Sequence, residues 1–169
     1  ETEIKSLDDF KAQDKIALPS VKVSVQAVTL QMAAAQKYGI KEYQRLDPLT
    51  VGMAHPEAYV ALMSEKPSVA AHFASIPFQN QELTQGKGKV HTILNSYDVL
   101  GGPASFVVLV ASTPFVQANP KTYQAYVAAL EEAMSFIREH KKEAAELYLR
   151  VTKSKESLAS IIELLNDPQ

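Results

Sequence analysis

Four histidines, His55, His72, His91 and His140, are the side chains of this 169-residue sequence best suited to proton transfer or metal ligation. No two of them lie three or four residues apart, so the spacing of a helical metal site is absent and no metal is expected. His91 and His140 read as exposed or packing residues. His55 and His72 differ, because each falls where a regular element meets a loop. His72 and Ser75 could begin a base–nucleophile pair, yet the sequence supplies no third member to orient the imidazole. Gly86-Lys87-Gly88-Lys89 lacks the spacing of a P-loop and reads as a turn. Leu100-Gly101-Gly102-Pro103 has no G-x-S-x-G elbow to accompany it. The paired carboxylates Asp8-Asp9 and Glu131-Glu132 read as solvated surface, and no dinucleotide fingerprint is present. No catalytic residue, no cofactor and no enzymatic activity are expected on these grounds.

The totals narrow the partners. The formal net charge is −2, so the basic surplus that carries nucleic-acid binding is missing. The densest basic cluster, Lys141-Lys142 with Arg138 nearby, reads as a solvated helix face. There is no cysteine, which rules out disulfide scaffolds, thiolate zinc sites and thiol nucleophiles. No apolar run approaches the roughly twenty residues of a membrane-spanning helix, so direct membrane insertion is not expected. The chain starts at Glu1 without an initiator Met, which reads as a processed or cut chain whose leader is not on view.

The elements that must position these residues alternate. Lys15 to Pro19 reads as a buried strand. Ser20 and Ser24 offer N-caps for a helix carrying Val25, Val28, Met32 and Ala35, which Gly39 ends. A weaker strand is expected at Tyr43 to Leu46. Thr50-Val51-Gly52 reads as a turn into a helix opening at His55-Pro56-Glu57 and stopping before Pro67. Ser68 to Phe73 and Val90 to Leu94 read as further strands, the second after a turn at Gln85 to Lys89. This order predicts a largely parallel sheet with helices on its faces. Gly101-Gly102-Pro103 punctuates the chain, and Phe106 to Ala111 is its most apolar expected strand. Asn119-Pro120 starts a long helix with a stripe of Tyr123, Val127, Leu130, Met134 and Ile137. Two shorter helices follow, at about 141–151 and 155–166. One strand against three helices cannot make a sheet, so a partner sheet is expected from outside this stretch.

In open α/β sheets, ligands sit beyond the carboxyl ends of the strands, where helix N-termini present N–H groups. That edge collects Ser20, Ser24, Gln26, Gly52, His55, His72, Ser75 and Phe78 as candidate ligand-binding residues, with Phe73 as a further apolar wall. The serines could equally serve only as caps, although a cap satisfies only part of the orphan donors.

Three segments carry a resemblance. Ile4 to Lys11 leading to Lys15-Ile16-Ala17-Leu18-Pro19 resembles the opening of the second lobe of NMT1/THI5-like proteins. These are the substrate-binding components of nitrate/sulfonate/taurine-type ABC importers. Val69 to Phe78 is similar to that family's motif ending in Pro-Phe. Val108 to Phe115, Asn119-Pro120 and the long helix resemble its return into the first lobe. Two positions depart from the pattern: Ala70 replaces the usual Asp, and the Gly before it is lost within Glu65-Lys66-Pro67.

The resemblance implies a type II periplasmic-binding-protein-like α/β fold with largely parallel sheets flanked by helices in two lobes, the first incomplete. Residues 1–97 would form the second, ligand-binding lobe, 98–103 a crossover hinge, and 104–169 the returning part of the first lobe. It implies an extracytoplasmic or periplasmic protein that captures a small anionic or polar organic solute and delivers it to a membrane permease. The alternatives are a pyrimidine-precursor synthase-like enzyme of the same fold, with His55 or His72 reacting, and an effector-binding regulatory domain.

Overall fold

The computed structural model describes residues 4–166. They divide into two compact units, with the boundary between Ala104 and Ser105. Each is described by itself.

In the first unit, three short parallel strands form one sheet: β1 (Ile16–Leu18), β2 (Thr50–Gly52) and β3 (Ala71–His72), in the order β2-β1-β3. Ile16 pairs with Thr50 on one side and with Ala71 on the other, so β1 is central. All three residues of β1 are buried, as a strand covered on both faces requires. Helix α1 (Val25–Tyr38) connects β1 to β2, and α2 (His55–Met63) leads from β2 back across to β3. The two connections run in opposite directions, so right-handed crossovers place α1 and α2 on opposite faces of the sheet. The packing agrees. Ile16 and Leu18 bury against Ala27, Leu30, Ala33 and Ala34 of α1, with Leu7, Leu46 and Val99. Ala17 points the other way, against Ala58 of α2 and Val69. Strand alternation sends neighbouring side chains of β1 to different cores. Two more helices complete the unit, α3 (Phe78–Gln85) and α4 (Ser96–Leu100).

Helix ends follow local chemistry. The Ser24 hydroxyl accepts from the Ala27 N–H at 3.2 Å and caps α1. Gly39, at φ 98°, ends it with a conformation that disfavours a side chain. Pro56 occupies the first turn of α2, where its missing N–H costs nothing. Gly86, ending α3, is a close approach: a Cβ there would lie 2.5 Å from the Glu82 carbonyl oxygen and 2.8 Å from a Val90 methyl.

Several expected elements are corrected. Tyr43 to Leu46 is not a strand but a run of turns, closed by bonds such as Asp47 N–H to the Gln44 carbonyl. The edge strand is instead Thr50–Gly52, taken for a turn because it is only three residues long. The strand expected over Ser68 to Phe73 contracts to Ala71-His72, and Val90 to Leu94 forms no strand. The apolar positions on α1 are also reassigned: Val25, Val28 and Met32 are exposed, and the buried face is Gln26, Ala27, Thr29, Leu30, Ala33 and Ala34. Small residues let the helix sit close to the sheet, so the face with alanines wins over the face with larger side chains.

The second unit is helical among the described residues: α5 (Thr113–Ala118), α6 (Pro120–Glu139), α7 (Lys141–Thr152) and α8 (Leu158–Asn166). Its buried residues are Ala144, Ala145 and Ile161, held between α7 and α8. Phe106 to Ala111, expected as a strand, joins no ladder among the described residues and is exposed, Val107 at 80% and Val110 at 84%. A strand is defined by its neighbour, and no described segment pairs with this one. The α6 stripe forms on a helix as expected, yet Tyr123, Leu130, Met134 and Ile137 are exposed. No helix among the described residues is long and apolar enough to cross a membrane.

Candidate functional site

A chain of hydrogen bonds crosses the carboxyl edge of the sheet. His72 ends β3 with its side chain fully buried, and its Nδ1 lies 2.6 Å from Oε1 of Glu82, whose side chain is 5% exposed. The other nitrogen of His72, Nε2, is 2.8 Å from Nδ1 of His55, the first residue of α2. Nε2 of His55 is in turn 2.9 Å from the Ser75 hydroxyl and 3.4 Å from the Gln26 side-chain nitrogen. Gln26 is buried near the start of α1. Phe78, opening α3, stacks on the His55 ring at 5.7 Å between centroids, and the Tyr59 ring lies tilted to Phe78 at 6.5 Å.

The fold explains this convergence. Helices α1 and α2 lie on opposite faces, but both begin just beyond the carboxyl ends of β1 and β2, so Gln26 and His55 meet over the sheet edge. Glu82 follows Phe78 by four residues and shares its face of α3. That face presents an aromatic wall and a carboxylate to the same two histidines.

The direction of the bonds follows from donor chemistry. A carboxylate only accepts, so His72 donates from Nδ1 to Glu82. In the tautomer with one proton on Nδ1 of His72, its Nε2 accepts from the Nδ1–H of His55. That leaves Nε2 of His55 as an acceptor for the Ser75 hydroxyl and the Gln26 amide. Every link is satisfied, and no buried side-chain nitrogen or oxygen among the described residues lacks a partner. Burial holds the His55 pKa below the ordinary imidazole value, His72 reinforces that effect, and Glu82 opposes it. The cluster is linear and does not converge on a point; among the described residues, no group of three or more metal-ligating side chains could hold an ion.

The structure brings together five of the eight residues expected from the sequence: Gln26, His55, His72, Ser75 and Phe78. Ser24 serves α1 as its cap. Ser20 is exposed and contributes its carbonyl to the Ser24 N–H. Gly52 ends β2 opposite Leu18, with open space where a side chain would project. Glu82 was missed. Its signal was available, a carboxylate one helical turn after Phe78, but α3 itself had not been recognised in the polar run Phe78–Gln85.

A second polar corner lies away from this edge. Asp8 accepts from the Tyr38 hydroxyl at 2.8 Å and pairs with Lys37 at 2.6 Å, and the Arg45 guanidinium sits 4.4 Å from the Tyr38 ring centre. Burial and the Asp8 contact push the Tyr38 phenol up to about 12. Asp8, Tyr38 and Arg45, with Leu7, Phe10 and Leu49 among others, line a cavity of about 180 Å³. None of the histidine-cluster side chains borders it.

The parallel sheet covered by helices on both faces, with its polar cluster at the strand ends, defines an α/β protein of the periplasmic-binding-protein-like class. The sequence profile of the NMT1-like family matches residues 5–151, and the chain belongs to that family. Most of the family are binding proteins, and it also includes synthase-like members. No individual curated protein and no solved structure matches the chain.

Proposed function

We propose that this chain is the solute-binding component of an ABC importer. It works outside the cytoplasm, capturing a small anionic or polar organic solute and handing it to a membrane permease. The observation that carries this reading is the convergence of Gln26, His55, Ser75 and Phe78, drawn from both faces of the sheet, at its carboxyl edge in an NMT1-like chain. The cluster offers the mixture a small-molecule site uses, an aromatic wall and a few placed polar groups. Helix α2 begins without a side-chain cap, so a ligand acceptor oxygen can take that role. In this reading residues 1–97 form the ligand-binding lobe, 98–103 the crossover hinge, and 104–169 the returning segment.

Small anions, sulfonates, carboxylates, amino acids and pyrimidines, screened by thermal shift on this chain, test the reading. A bound ligand at about a hundred times its dissociation constant adds about 2.7 kcal/mol of stability. The expected outcome is a hit whose shift disappears in His55→Ala while the unliganded melting point of that variant stays close to the parent. A screen without a hit, or a hit indifferent to His55→Ala and Ser75→Ala, would overturn the assignment of this site. Transport by vesicles carrying the cognate permease then tests the importer role. The enzymatic reading of the fold keeps one observation in its favour, the directly bonded His55–His72 pair.

A further inference from the structure

The solute-binding reading leaves unused the order in which the histidine chain is wired. We propose that Ser75 is a nucleophile activated by His55, and that the site can acylate and hydrolyse small carboxylic esters. His72 and Glu82 would act as positioning residues behind the base.

The argument rests on direction, burial and accessibility. A serine hydroxyl is a weak nucleophile until a neighbouring base removes its proton as it attacks. Nε2 of His55 is 2.9 Å from the Ser75 hydroxyl, within reach for that transfer. It can accept only if the proton of His55 is held on the other nitrogen, Nδ1. In the arrangement proposed, His72 donates its Nδ1–H to Glu82 at 2.6 Å and accepts at Nε2 from His55 at 2.8 Å. In this assignment one carboxylate sets the tautomer of two imidazoles. The second, His55, is presented to a hydroxyl with its basic nitrogen forward. Both inner members are shut away from water, whereas His55 and Ser75 are only half-buried. The pair His72 and Ser75, three residues apart, is therefore joined indirectly, through a histidine seventeen positions earlier in the chain than His72.

The reaction balances without any further reagent. The Ser75 oxygen attacks the ester carbonyl while its proton passes to Nε2 of His55. The tetrahedral intermediate expels the alkoxide, which leaves as an alcohol carrying that proton, and Ser75 is left acylated. Water, deprotonated by the same nitrogen, releases the carboxylic acid and restores the serine. The Gln26 amide, 3.4 Å from the same nitrogen, is a donor within this corner that can turn to the developing oxyanion. The positive charge gathered on His55 during each attack is shared toward Glu82 through His72. The titratable groups facing His55 are His72 from β3 and Glu82 from α3; Gln26 from α1 carries no charge.

The experiment is covalent labelling of the intact chain with an alkyl fluorophosphonate, read by peptide mass spectrometry. The Ser75 oxygen forms a bond to phosphorus as fluoride leaves. The expected result is a single adduct on Ser75, absent in Ser75→Ala and about 100-fold or more slower to form in His55→Gln. The labelling rate of the parent protein should rise with pH, with a midpoint below the ordinary imidazole value of 6.5. Glu82→Gln, by removing the charge that raises the His55 pKa, should move that midpoint lower still. Failure to label Ser75, or a parent rate with no such midpoint, would overturn the proposal, and this reading of the parent needs no variant to fold. Equal rates in a folded His55→Gln would overturn it too.

Discussion

Burial sets the proton affinity of His55 at this site, and the consequence for stability has a definite sign. Desolvation and the neighbouring His72 both hold the His55 pKa below its unfolded value of 6.5, so folding disfavours protonated His55. The unfolded chain therefore binds more protons as pH falls through that range. This contribution to stability is complete above pH 6.5 and is lost as pH drops from there toward the lowered folded value. Urea denaturation at a series of pH values should show the midpoint falling over this window, and His55→Gln should remove that part of the slope. An unchanged slope in the variant would place the titration elsewhere. At this scale much was legible in advance: His55, His72, Ser75, Gln26 and Phe78 all lay at the expected carboxyl edge of the sheet. Glu82 was not legible, because burial of a carboxylate is set by a partner ten residues away and leaves no periodic trace.

The elements show how helix placement and helix facing part company. Both α1 and α6 were predicted from apolar spacing, and both form, yet neither buries the stripe that announced it. In α1 the face with Ala27, Leu30, Ala33 and Ala34 meets the sheet, and two apolar patterns on one helix cannot be ranked without knowing the depth of the groove. In α6 the stripe is correct as a pattern and lacks a covering element among the described residues. These facts separate two substitutions that look alike in sequence. Leu30, 3% exposed, should cost roughly 2–5 kcal/mol on truncation to alanine. Leu130, 41% exposed, should stay within about 0.5 kcal/mol. Equal losses in chemical denaturation would show that α6 is covered in solution. Strands fared worse than helices, since elements of two or three residues carry almost no alternation to read.

Across the whole molecule, the parallel architecture and the gathering of candidate residues at its carboxyl edge were legible because they follow from element order alone. The strand content was overestimated for the same reason: apolar runs were read as strands irrespective of whether a neighbour existed to receive their hydrogen bonds. Phe106 to Val110 is the sharpest case, five successive apolar residues with exposures from 58% to 84%. Such a run has high β propensity, no charge and no proline, which is the composition of a self-stacking segment. The net charge of −2 supplies little repulsion between copies to oppose it. A strip of backbone remote in sequence from the histidine cluster thus offers this chain a route to self-association. Val108→Lys places a gatekeeper charge at its centre. It should raise the soluble yield and the concentration at which light scattering first grows, with the melting temperature left where it was.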